Sequence, residues 1–219
     1  MNRPRVIVNC AMTADGKLAF ASGRQLRISS EQDMARVHRL RNSVDAIVVG
    51  VGTVLADDPK LTVKEKYLDD VSVSSPIRVV LDSSARIPRD ALMLNDAAKS
   101  IVVVGKGVEA EGFDSSVELI YCDLDESGHV DVKKALEALC SAGISSVLVE
   151  GGSEVIWSML RGGVVDELWT YIGPMVVGGK DTVGMTGGVG VDCESDLIRL
   201  SVVEFSCLGE GVLIGYKVS

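Results

Sequence analysis

Aromatic residues are scarce, 4% of 219, while Val and Ile abound, a balance that favours buried parallel strands over a stacking surface. The only histidines are His38 and His129, too few for a clustered zinc site. Five cysteines (Cys10, Cys122, Cys140, Cys193 and Cys207) are odd in number and form no CxxC pair. Most sit in apolar surroundings, which points to buried thiols in a reducing compartment rather than disulfides. No apolar run approaches the ~18 residues of a membrane helix. The stretch after Met1-Asn-Arg-Pro-Arg5 is short and carries Asn9, so it does not read as a leader. A cytoplasmic protein without membrane contact is expected. Positive charge is also in deficit: 22 Lys and Arg face 31 Asp and Glu, a net charge of −9. That sign argues against nucleic acid but not against a small anion held in a local loop. The G-x-x-x-x-G-K-[ST] phosphate loop of nucleotide triphosphatases does not occur.

What is present is a core-forming chain, 47% apolar and 24% charged, of a length that suits one domain over residues 1–219. Apolar runs at 5–12, 45–49, 77–81, 101–104, 117–120, 147–149 and 167–172 read as strands. Ser30-Glu-Gln-Asp33 has the form of a capping box, and the helix behind it carries Met34, Val37 and Leu40 on one stripe. A second helix is expected from about Asp131 to Gly143, and another after Ser153. Residues 63–75 read as a surface excursion, and the glycine-rich segments at 178–180 and 186–190 as mobile surface loops. Two alternating strands, 197–205 and 211–218, suggest a closing antiparallel hairpin. Strand and helix thus alternate up to residue 173. The pattern predicts an α/β fold: a mostly parallel, twisted sheet flanked by helices, with antiparallel C-terminal strands.

In such a sheet, ligands bind beyond the carboxyl ends of the strands. Five loops fall there: Thr13-Ala-Asp-Gly-Lys17, Gly50 to Thr62, Asp82-Ser-Ser84, Gly105-Lys-Gly107 and Glu150-Gly-Gly-Ser153. Their glycines and hydroxyls suit an elongated phosphate-bearing ligand such as a dinucleotide. Gly50-Val-Gly-Thr-Val-Leu55 starts like a Rossmann fingerprint but has Leu where the third glycine belongs, so a standard Rossmann site is not expected. Asp57 and Asp58 are adjacent carboxylates that could bind substrate or carry protons; as ordinary turn formers they would do neither. Glu150-Gly-Gly-Ser153 joins a strand to a helix, which serves either anion binding or close packing. His38, among Arg36, Arg39 and Arg41, reads as a packing or solvated residue. With Arg24 and Arg27 these arginines form the densest basic patch, from which one or two could reach a substrate phosphate.

Five motifs carry a family resemblance: Thr13 to Ala19, Gly50 to Thr62, Arg78-Val-Val-Leu-Asp-Ser83, Val149-Glu-Gly-Gly152 and Val165-Asp-Glu-Leu168. Together, and in that order, they resemble the riboflavin-biosynthesis reductases over nearly the whole chain. The zinc deaminase signature that some members carry in a separate domain is missing here. The resemblance implies a dihydrofolate-reductase-like fold and a homodimer. It implies reduction of the ribosylamino side chain of 2,5-diamino-6-ribosylamino-4(3H)-pyrimidinone 5′-phosphate to ribitylamino, with NADPH preferred and NADH as an alternative donor. Carried over by motif, Gly52, Thr53, Asp57, Asp82, Ser83, Ser84, Ala85 and the Glu150-Gly151-Gly152-Ser153-Glu154 turn would hold the cofactor. Asp58, with Asp15 and Lys17 behind it, would serve the proton transfer, and Arg41 and Lys64 would meet the substrate. Lys64 stands where bacterial relatives commonly have Arg, and Lys offers a point charge instead of a planar fork. Arg86 and Lys106 are candidates to read the 2′-phosphate of NADPH. A pterin-type reductase on the same fold and a non-catalytic nucleotide-binding module are the rival readings.

Overall fold

The computed structural model describes residues 2–68 and 72–219. Nine strands form one sheet: β1 (Arg5–Thr13), β2 (Ala46–Gly50), β3 (Ile77–Leu81), β4 (Ser100–Gly105), β5 (Val117–Cys122), β6 (Ser146–Gly151), β7 (Glu167–Gly173), β8 (Leu200–Leu208) and β9 (Gly211–Val218). Four α-helices accompany them: α1 (Glu31–Asn42), α2 (Val51–Asp57), α3 (Val132–Ser141) and α4 (Ser153–Arg161). The strand order is β5-β4-β3-β2-β6-β1-β7-β9-β8. All pairs from β5 to β7 are parallel, and the β7–β9 and β9–β8 pairs are antiparallel. The mostly parallel sheet and the closing hairpin are as the sequence predicts.

The parallel strands are apolar along their length because both sheet faces are covered. Neighbouring residues on one strand therefore join opposite cores. Val48 shares one core with Leu136 and Leu139 of α3 and Ile156 and Met159 of α4. Ile47 and Val49 pack instead with Val51 and Val54 of α2 and with Met93 and Leu94. Truncating one of these fully buried side chains to Ala removes about 2–5 kcal/mol of stability. Ser30 caps α1 by accepting the Asp33 N–H at 3.2 Å, as the capping pattern implies.

Three sequence expectations need correction. No α-helix joins β3 to β4 or β4 to β5; irregular chain with a short 3-10 turn at Leu92–Leu94 covers that face instead. It can do so because Ile87, Ala91, Met93 and Leu94 are buried, and Asp82 Oδ2 accepts the Ile87 N–H at 2.7 Å. The 63–75 excursion, of which residues 69–71 lie outside the described residues, is not all surface, since Val63, Tyr67 and Leu68 point inward. Nor do the glycine-rich loops sit free. Gly187 and Gly188 donate to Ser153 O (3.0 Å) and Glu154 Oε1 (3.1 Å), and a Cβ at Gly188 would lie 2.0 Å from the Trp157 ring. Cys193 and Cys207 are exposed, and all five thiols are free.

Candidate active site

The chain runs from β2 outward through β3, β4 and β5, then returns to insert β6 between β2 and β1. At that reversal, α2 leaves β2 toward one face and α4 leaves β6 toward the other. A crevice opens where such connections part. Two devices hold its floor. Gly50 lets α4 close on the end of β2, because a Cβ there would meet Val155 Cγ2 at 2.7 Å. Thr53 Oγ1 accepts the Gly152 N–H at 2.8 Å, tying the start of α2 to the start of α4. Gly151 and Gly152 have φ of 147° and 47°, conformations open to glycine and strained for other residues.

Above this junction lies a cleft of about 1210 Å³. Gly52, Thr53 and Asp57 of α2 line it, as do Glu150, Gly151, Gly152, Ser153 and Glu154 of the β6–α4 turn. On the β3 flank its wall is Ser83, Ser84 and Arg86, joined by Gly128, His129 and Val130. The other flank carries Gln25, Arg27, Lys64, Lys66 and Tyr67. No side chain caps α4, so its first turn faces the cleft with backbone N–H groups and the positive dipole end. The Glu154 carboxylate accepts from Gly188, which draws its charge toward that loop.

The paired aspartates part company. Asp57 lines the cleft, and desolvation raises its carboxyl pKa above the usual range although the residue stays open to solvent. Asp58 adopts a left-handed turn, φ 41°, as the C-cap of α2, and its Oδ1 accepts the Leu92 N–H at 2.8 Å. It is not part of the cleft wall. The one-residue turn at the helix end sends the second carboxylate to the 88–94 segment, so the structure gives the cleft to Asp57, not Asp58.

Other residues singled out from sequence also hold the loops instead of lining the cleft. Asp15 accepts from Thr13 Oγ1 (2.5 Å) and from the backbone of Val177 and Gly178 (3.2 and 2.6 Å). These bonds depress its pKa to about 2, the wrong direction for a proton donor. Lys17 Nζ donates to Thr182 O at 3.1 Å. Arg41 makes a bidentate pair with Glu150 (2.7 and 2.6 Å) and donates to Thr62 O, so its guanidinium anchors a cleft residue. Asp82 is fully buried beneath the β3 loop, and Ala85 takes φ 56° in the turn above it. Lys106 is engaged by Asp123 at 2.6 Å and does not line the cleft, whereas Arg86 does.

Sequence reading missed Gln25, Lys66, Tyr67 and the Gly128–Val130 turn as cleft residues, and named Arg27 only as part of a basic patch. The turn comes from a distant part of the chain, docked by the Val130 N–H on Ser83 Oγ at 2.9 Å. The wall around Lys64 rests on His38, which is fully buried, stacks on Tyr67 at 4.7 Å and accepts the Lys64 N–H at 3.2 Å. Burial pushes the His38 pKa down to about 4, aided by the charges of Arg41 and Lys64.

Comparisons with known proteins identify the family and the fold. A family model described as the RibD C-terminal domain matches residues 4–214. A Methanothermobacter thermautotrophicus protein named 2,5-diamino-6-ribosylamino-4(3H)-pyrimidinone 5′-phosphate reductase is 43% identical over 216 residues, 99% of each chain. A protein of the same name from Archaeoglobus fulgidus is 39% identical, covering 97% of each chain. The crystal structure of a bifunctional deaminase/reductase from Thermotoga maritima superposes with a TM-score of 0.82 at 28% identity, over 99% of this chain and 57% of that one. The fold is thus the dihydrofolate-reductase-like one of these reductases, a type that uses a nicotinamide cofactor. The chain belongs to the RibD C-terminal domain family of riboflavin-biosynthesis reductases.

Proposed function

We propose that this chain, as one reductase domain, converts 2,5-diamino-6-ribosylamino-4(3H)-pyrimidinone 5′-phosphate to its ribitylamino product with NADPH. The observation that carries the reading is the Thr53–Gly152 junction opening onto a cleft with Asp57 on its wall. The residues present fit a dinucleotide. A Cβ built at Gly52 would meet nothing within 4 Å, so bare backbone faces open space beside the uncapped start of α4. Ser83, Ser84 and Arg86 supply hydroxyls and a cation on the β3 flank, suited to the adenosine end. When bound, the nicotinamide supplies the hydride that reduces C1′ of the ring-opened imine.

The chain's own residues then have defined work. Asp57, its pKa raised, supplies the proton that completes the amine, or holds the sugar hydroxyls beside it. Lys64, Lys66 and Arg27 give the opposite flank positive charge for the substrate phosphate. The Arg41–Glu150 pair fixes the strand end from which Gly151 and Gly152 project. A homodimer fits the outer strand β8, where Val202, Val203 and Phe205 are 62%, 58% and 68% exposed. The deciding assay is absorbance at 340 nm. Oxidation that requires both NADPH and the pyrimidinone phosphate supports the assignment; nucleotide binding without oxidation contradicts it.

A further inference from the structure

The chain from Asp58 to Leu68 joins no strand or α-helix, and its only regular piece is the 3-10 turn Glu65–Tyr67. It nevertheless carries Lys64, Lys66 and Tyr67 into the cleft wall. Asp58 and Leu61 hold positive φ, 41° and 50°, without being glycine. Backbone of that kind persists only where its surroundings fix it. Helix α1 supplies the fixing. Arg41 Nη1 donates to Thr62 O at 3.1 Å, and His38, one turn earlier on the helix, accepts the Lys64 N–H on Nδ1 at 3.2 Å. The His38 ring also stacks on Tyr67, with centroids 4.7 Å apart and planes 10° from parallel. Lys66 Nζ lies 4.4 Å from the centroid of that same Tyr67 ring. With the imidazole against one face, the ammonium belongs to the other.

One fully buried side chain thus locates two cations, Lys64 through its backbone and Lys66 through the Tyr67 ring. We propose that His38 is a positioning residue that sets the preference for a phosphorylated substrate, by holding Lys64 and Lys66 where the substrate phosphate can take both. The inference rests on the reading that this flank of the cleft receives the phosphate.

An apolar ring would fill the same space but would leave the Lys64 N–H without an acceptor. Nδ1 accepts because the neutral ring carries its proton on Nε2, and burial keeps the ring neutral. A lysine ammonium is a point charge on a flexible stem, so the anchor of its backbone decides where that charge concentrates. Arg27 reaches the same flank from the loop before α1 and does not depend on this anchor. The Glu31 carboxylate lies 3.7 Å from Lys66 Nζ, in an exposed pair that solvent weakens and a phosphate can displace.

Steady-state kinetics with the pyrimidinone 5′-phosphate and with its dephosphorylated riboside, at saturating NADPH, test this through the ratio of the two kcat/KM values. His38→Phe keeps a flat ring against Tyr67 and removes the acceptor. It should lower the ratio about tenfold by raising KM for the phosphate, with kcat within about twofold of native. The riboside's kcat/KM and the Kd for NADPH should stay near native. His38→Asn keeps an acceptor near the place of Nδ1 and loses the stack, so the ratio should fall only about threefold. Should His38→Phe fail to fold, His38→Asn carries the test with the same sign. Lys64→Ala and Lys66→Ala should each lower the ratio with His38 in place. If they do so while the folded His38 variants leave the ratio unchanged, or weaken both substrates equally, the role of His38 is overturned and the phosphate flank stands. If neither lysine variant moves the ratio, the flank reading falls and takes this inference with it.

Discussion

The two ends of the parallel strands treat charge in opposite ways. At the amino end, Asp45 accepts N–H and O–H groups from both Ser145 and Ser146. Asp166 takes both terminal nitrogens of Arg3 at 2.7 Å and the Val6 N–H. Arg78 is fully buried and donates to Asn95 Oδ1 and to the carbonyls of Asn95 and Ala98. At the carboxyl end, Asp57 stands in the cleft wall with a raised pKa, and the α4 start has no side-chain cap. Charge whose hydrogen bonds are made within the chain holds strand ends in place; charge and backbone donors left open to the cleft are what a ligand can use.

The sharpest way to test that contrast is to remove one open carboxylate. Asp57→Asn should lower turnover on the order of 10³-fold with the melting temperature unchanged, as steady-state kinetics and thermal melts would report. A loss of stability instead would move Asp57 into the structural class.

His38 crosses the division, buried like the amino-end groups yet with Nε2 lacking a partner among the described residues. Its folded pKa of about 4 lies below the ordinary histidine value, so the unfolded chain binds the proton first. Stability should fall as pH drops from about 6.5 toward 4, by roughly 3 kcal/mol. His38→Gln should remove most of that slope in urea unfolding followed across this range.

Asp166→Asn tests the saturated end and should cost about 2 kcal/mol of unfolding free energy with turnover preserved. Its folded pKa is depressed, chiefly by the Arg3 hydrogen bonds. The carboxylate's contribution is therefore present above about pH 4 and is lost as pH falls toward the folded value. The smallest effect belongs to Asp58→Asn, about 1 kcal/mol of stability through the Leu92 contact, with turnover within about threefold of native. A large loss of turnover there would return Asp58 to the chemistry.

Much of the fold was legible because strands buried on both faces announce themselves as Val and Ile runs, and because Ser30 and the Glu150-Gly-Gly-Ser153 turn mark helix starts. The segment from 82 to 99 was not, since irregular chain can cover a sheet when its polar groups find partners such as buried Asp82. In the site, motif order led to the β2–α2 and β6–α4 turns. It gave Asp57 to the cofactor and Asp58 to the proton transfer and could not foresee that Asp58 turns away from the cleft, because a left-handed residue at a helix end redirects a side chain in a way no spacing records. Nor could it bring His129 beside Ser83, a placement decided by packing across a sequence separation of 46 (129 − 83).

In the proposed function the cleft brings a nicotinamide hydride to C1′ of the pyrimidinone's sugar. The direct measurement is mass spectrometry of the product formed with NADPH deuterated at C4 on the transferred face. A single deuterium at C1′ of the ribitylamino chain is expected. Product without deuterium from either C4 face, or with deuterium at another carbon, would contradict it.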